Sequence, residues 1–233
     1  MGNVIPIRIR SISWTNTNGQ DNTATGAYAL PSNTTGSGNH AFGATALSAN
    51  TTGNYNTAVG QAALQANTTA SNNTAVGYQA GYSNTTGTQN IFVGYQAGYS
   101  NTTGSVTAFG YKALYANTTG TENTALGYGV AQSVTTGIKN TALGYLTAYQ
   151  LTTGNQNTAV GRQALQAATT GFSNDAYGHN SQYNTTTGGY NVSVGDSALF
   201  SNTVASYTTA VGYQAAYSSS TGSHMTAIGY RAL

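Results

Sequence analysis

The chain contains no cysteine. Disulfide staples and thiolate metal sites are therefore excluded, whatever compartment it occupies. It is also almost without charge. Asp, Glu, Lys and Arg make up 4% of its 233 residues, where ordinary soluble proteins carry about 25%. Six basic residues, spread from Arg8 to Arg231, leave a net charge of +2. That is too little for a nucleic-acid footprint or a grip on an anionic membrane. No apolar run approaches the ~18 residues of a membrane span, so no membrane insertion is expected. The start, MGNVIPIRIRSISW, is interrupted by Arg8 and Arg10 and does not read as a secretory leader. Zincin, nucleophile-elbow, phosphate-loop and calcium-repeat motifs are all missing. Four acidic residues cannot supply a repeated metal site, and His40, His179 and His224 fall far apart. Neither a cofactor nor enzymatic activity is expected.

What is present is one sentence repeated. Residues 73–90 read NTAVGYQAGYSNTTGTQN, and IFVGYQAGYSNTTGS, TAFGYKALYANTTGT and TALGYGVAQSVTTGI follow. One glycine anchors each copy: Gly26, Gly43, Gly60, Gly77, Gly94, Gly110, Gly127, Gly144, Gly161, Gly178, Gly195, Gly212 and Gly229. Successive anchors lie 17 residues apart, except Gly94 and Gly110, which lie 16 apart. With 18 tyrosines and so little charge, the chain does not have the composition of a disordered one.

The period is too short for helix-pair repeats, which need more than about 30 residues. It suits one coil of an all-β parallel solenoid or β-roll, with about thirteen coils. Each coil would hold two short strands and two turns. T-A-V-G-Y-Q-A-L is the strand candidate and N-T-T-G-x-x-N the turn candidate. At ~4.8 Å per coil the rod would be roughly 60 Å long. The missing residue lies between Gly104 and Gly110, which places a length-tolerant turn there.

In a solenoid each repeat position becomes a ladder. The residue before the anchor glycine is Val59, Val76, Val93, Phe109, Leu126, Leu143 or an equivalent, and reads as the core. Strand alternation puts it on one face with the alanines three after the glycine, such as Ala63 and Ala80. The alanines two before it and the leucines four after it, such as Ala58 and Leu64, fall on the other face. With both faces apolar, a second cover is needed, most simply other copies of the chain. Asn22, Asn39, Asn56, Asn73 and their successors, four before the glycine, would hydrogen-bond along the axis.

Several columns carry candidate sites. Tyr78, Tyr95, Tyr111, Tyr128, Tyr145 and Tyr213 directly follow anchor glycines, and Tyr82, Tyr99 and Tyr115 lie five after them. They read either as stacking that stiffens the rod or as a platform for sugar rings or another partner. In the column directly after the glycine, tyrosine gives way to Arg162, His179 and Asp196. These form either a surface ion ladder or a ligand contact. N-T-T matches the N-glycosylation acceptor at Asn33, Asn50, Asn67, Asn84, Asn101, Asn117 and Asn184, although turn chemistry explains it equally.

The ends suggest assembly. Residues 1–15 form a separate unit before the 16–233 repeat domain. Within it Val4, Ile5, Ile7, Ile9 and Trp14 alternate like a strand that caps the first coil or pairs with a neighbouring subunit. Leu233 stops midway through the thirteenth coil, leaving an edge for end-to-end stacking.

The phrases NTAVGYQA, NTALGYG and NTAVGRQA resemble the head repeats of YadA-type trimeric autotransporter adhesins. Similar repeats occur in bacteriophage tail fibres. The likeness covers about residues 16–233. It implies a left-handed parallel β-roll, three chains to a head, at a cell surface, outside the cell or on a virion. The combined expectation is a non-enzymatic fibre that self-associates as a homotrimer or an end-to-end polymer. The alternative is an adhesin head or tail-fibre segment that binds a host glycan or receptor.

Overall fold

The computed structural model describes residues 15–233. The segment Val4–Trp14, expected to cap or pair, lies outside the described residues. The rest is an all-β solenoid of about twelve turns of some 17 residues, with no helix among the described residues. Thirteen strands, from Thr23–Thr25 to Thr226–Ile228, form one parallel sheet in sequence order. The register follows the repeat: Thr57 pairs with Thr74, Ala58 with Ala75 and Val59 with Val76.

Each coil supplies one strand, not two. The run T-A-V-G-Y-Q-A-L is strand only through T-A-V. The anchor glycine then takes φ near +130°, as in Gly60 at 131°. The residues two and four after it are left-handed, as in Ala62 (59°) and Leu64 (50°). Each such non-glycine residue costs roughly 1–2 kcal/mol. The turns are nevertheless bonded to both neighbouring coils. The amide of Thr45 donates to Ala27 behind it, and that of Leu47 donates to Ala63 ahead. Backbone pairing between coils thus continues from the strand into the turns.

This bend overturns the expected inside-out order. The alanines two before the glycine (Ala41, Ala58, Ala75) are fully buried. So are those three after it (Ala46, Ala63, Ala80) and the leucines four after it (Leu47, Leu64, Leu114). The two groups face each other across one interior. The column assigned to the core points outward instead: Val59, Val76, Phe109, Leu126, Leu143, Val194 and Ile228 are 37–68% exposed. Period-two alternation holds along an extended strand. It fails where a glycine at +130° reverses the chain between the two alanine columns.

The core compensates locally. Phe92 replaces alanine in the buried column, and the leucine position becomes Gly81 and Gly98. A Cβ on either glycine would strike the Phe92 ring. Around Gly178 the core turns polar: Ser181, Gln182 and Ser193 are all fully buried. The Gln182 amide donates to Ser193 Oγ (3.0 Å) and to the carbonyl of Asp175 (3.1 Å).

The short coil behaves as a turn deletion should. The residue lost is the left-handed one just before the asparagine position. Strand Val106–Phe109 gains a fourth residue, and Ile91 still pairs with Thr107.

Candidate functional site

The outer surface consists of parallel ladders. On the sheet face lie the threonine column, such as Thr57, Thr74 and Thr141, and the valine column. Round the corner from the valines runs the tyrosine column. Tyr78, Tyr95, Tyr111, Tyr128 and Tyr145 stack in one unbroken file, with ring centroids 4.7–5.3 Å apart and planes within 19°. Tyr213 stacks on Tyr230 instead (5.4 Å), beyond the charged interruption. A second file holds Tyr82, Tyr99 and Tyr115 at 5.0–5.1 Å.

Face-to-face stacking decides what the main file can offer. Inside the file each ring face is covered by the next ring, so solvent meets edges and hydroxyls there. The file stiffens the rod. Within the file, Tyr95, Tyr111 and Tyr128 have a ring on both faces and offer a sugar ring no open face.

The structure brings Arg162, His179 and Asp196 together on successive coils. His179 Nδ1 lies 3.1 Å from Asp196 Oδ2, and Arg162 Nη1 lies 3.3 Å from His179 Nε2. With neutral imidazole, Nδ1–H donates to the carboxylate and Nε2 accepts from Arg162. Asp175, four residues before His179, lies outside this file. The Ser197 hydroxyl donates to Asp196 at 2.6 Å. That bond, then the His179 contact, holds the Asp196 carboxyl below its ordinary range, against the opposing effect of burial.

A depressed carboxylate stabilises the fold above its unfolded pKa of about 4, and loses that contribution as pH falls through the folded value. The pair is exposed, so the contribution is below about 1 kcal/mol. Ser197→Ala is therefore expected to raise the Asp196 midpoint in an NMR titration while leaving the neutral-pH urea midpoint nearly unchanged. An unmoved titration midpoint would discard the Ser197 assignment.

The glycosylation reading is overturned at six of its seven positions. Asn33, Asn50, Asn67, Asn84, Asn101 and Asn117 are fully buried. They form a ladder in which Asn50 donates to Asn33 (2.9 Å), Asn67 to Asn50 (2.8 Å) and Asn84 to Asn67 (3.0 Å). A side-chain nitrogen enclosed in this way has no room for a glycan. Asn184 stands one place earlier in its coil and is half-buried.

The other asparagine ladder runs beside the first. Asn56 donates to Asn39 (3.1 Å), and Asn73 donates to Asn56 (3.1 Å). The two ladders converge on one carbonyl per coil: Asn39 and Asn50 both donate to Gly53. This explains the glycine of T-T-G. A Cβ at Gly53 would run into the Ala70 carbonyl and the Asn50 side chain.

Column reading also passed over a third aromatic file, Tyr190, Tyr207 and His224, at 4.9 and 5.1 Å. Their shared repeat phase was the available signal. Leu233 is 76% exposed, while Val4, Ile5, Ile7, Ile9 and Trp14 lie outside the described residues. Among the described residues no three of His, Asp and Glu stand close enough to hold a metal ion, and no helix is long and apolar enough to cross a membrane.

Comparison of the chain with protein-family models, with curated proteins and with solved structures finds no match.

Proposed function

We propose that this chain is a non-enzymatic structural repeat protein that builds an extracellular or virion fibre by lateral self-association. The observation that supports this reading is the apolar file on the outer sheet face, running from Phe42 to Ile228. A continuous exposed apolar strip marks an association surface more often than a solvent face. Parallel sheets are ordinarily covered on both faces. A second copy of the same strip offers matching spacing coil by coil. Three copies are the expected number, on the resemblance to YadA-type head repeats. The near absence of charge on the rod removes like-charge repulsion between neighbours.

The test is the solution mass of the purified chain by light scattering behind a sizing column. A trimer is expected for the wild type. The double variant Val76→Lys, Leu143→Lys alters two outward positions, so it is expected to keep its circular-dichroism spectrum and urea midpoint within about 0.5 kcal/mol. Its mass should fall to that of a monomer. A wild-type chain that runs as a monomer overturns lateral assembly.

A further inference from the structure

A channel separates the two tyrosine files, and the residue two after each anchor glycine fills it. In successive coils these residues are Gln79, Gln96 and Lys112. Gln96 donates to Gln79 at 2.8 Å, and the Lys112 ammonium lies 5.5 Å from the Tyr111 ring and 5.3 Å from the Tyr115 ring. In the next coil the filler is Gly129, and the second file loses its tyrosine to Gln132. Two departures from the repeat therefore coincide at one place. They open a groove of about 450 Å³ with Tyr111, Tyr128 and Tyr145 on one side and Tyr149 on the other. Lys112 and Leu146 close its ends along the axis.

We infer that this groove is a binding site for a sugar ring that carries a carboxylate. Three features select that ligand. Among the described residues no aromatic ring stacks on Tyr149, because Gln132 precedes it in the column and Gln166 follows it. No ring stack has to be broken for a ligand to reach it, and the C–H face of a pyranose packs on an aromatic surface of this kind. The tyrosine edges and the Gln132 amide supply donors and acceptors for ring hydroxyls. Lys112 contributes a cation, and no acidic residue lines the groove to neutralise it, so the ligand's charge is negative. The site lies within one chain, and it stands or falls separately from lateral assembly.

The repeat itself supplies fold-compatible test variants. Gly129→Gln restores the filler used at Gln79 and Gln96, both of which hold φ 52°. The new Cβ displaces the Cδ2 end of Leu146, a flexible group. Lys112→Gln places the same side chain one coil earlier. The probes are glucuronate, galacturonate and N-acetylneuraminate against neutral glucose and galactose, read by saturation-transfer NMR on the full chain. At least one acidic sugar is expected to bind, about tenfold or more tighter than its neutral counterpart, the worth of a charged hydrogen bond. Gly129→Gln should abolish that binding, and Lys112→Gln should remove the acid preference. Failure of all three acidic sugars overturns the site. So does undiminished binding by Gly129→Gln, or an acid preference that survives Lys112→Gln.

Discussion

Gly60→Ala is expected to lower folding stability by more than about 4 kcal/mol, while the same change at Gly229 costs only about 1–3 kcal/mol. Both glycines hold a φ closed to L side chains, +131° and +123° respectively. They differ in what lies beyond them. A Cβ on Gly60 would overlap the backbone carbonyl of Gly77 in the next coil, whereas nothing lies within 4 Å of one on Gly229. Gly229→Ala therefore measures backbone strain alone, and the difference between the variants measures the close stacking of coils. The obstacle at Gly60 is main chain rather than a flexible side-chain end, so relaxation means parting two coils and weakening the ladder bonds around them. Urea midpoints of the two variants decide the point. Equal losses would mean that the anchor glycine is required for its φ alone. In that case the spacing of the coils would owe nothing to its missing side chain.

This glycine also marks the boundary of what the sequence disclosed. The period of 17, the parallel in-register stack and the deletion-tolerant turn were all legible, because each depends on repetition and not on orientation. Axial bonding of Asn39, Asn56 and Asn73 was legible for the same reason. The inside and outside of the coil were not. Val59 and Ala58 are both apolar neighbours in a strand, and only the chain's path through Gly60 decides which one the far wall covers. Repeat phase cannot supply a φ. The second asparagine ladder was hidden by its own motif, since N-T-T-G is good turn chemistry and also a glycan acceptor. Asn50 reaches Gly53 locally, but Asn39 reaches the same carbonyl from across the coil, a closure that no local reading contains. The groove is an intermediate case. Gly129 and Gln132 each depart visibly from their columns, but their consequence appears only once the two tyrosine files are known to be neighbours.

Asn67→Val is expected to cost about 4 kcal/mol, and Asn117→Val about 2 kcal/mol, although both remove a buried amide of similar volume. The reasoning counts stranded polar groups. Asn67 sits within its ladder: it donates to Asn50 and to the Ala70 carbonyl, and accepts from Asn84. Valine there strands the Asn50 oxygen and one N–H of Asn84 in an apolar interior, at about 1–3 kcal/mol each. Asn56 still serves the Ala70 carbonyl, so that acceptor is not lost. Asn117 is the end of the ladder, because the next residue in the column is the fully buried Val134. Its own Oδ1 already lacks a partner. Asn117→Val removes that orphan and creates another at Asn101, moving the ladder's end back by one coil. The new cost then reduces mainly to the buried Gly120 carbonyl, which loses the Asn117 donor and has no second amide, because Val106 stands where Asn56 serves Ala70. Urea unfolding of the two variants gives the comparison, and hydrogen exchange shows whether the damage spreads to adjacent coils. Equal losses at the two sites would show that each amide acts alone. A gap of about 2 kcal/mol would show that the buried amides act as one continuous strut, ending where hydrocarbon takes over from asparagine as the filling of the core.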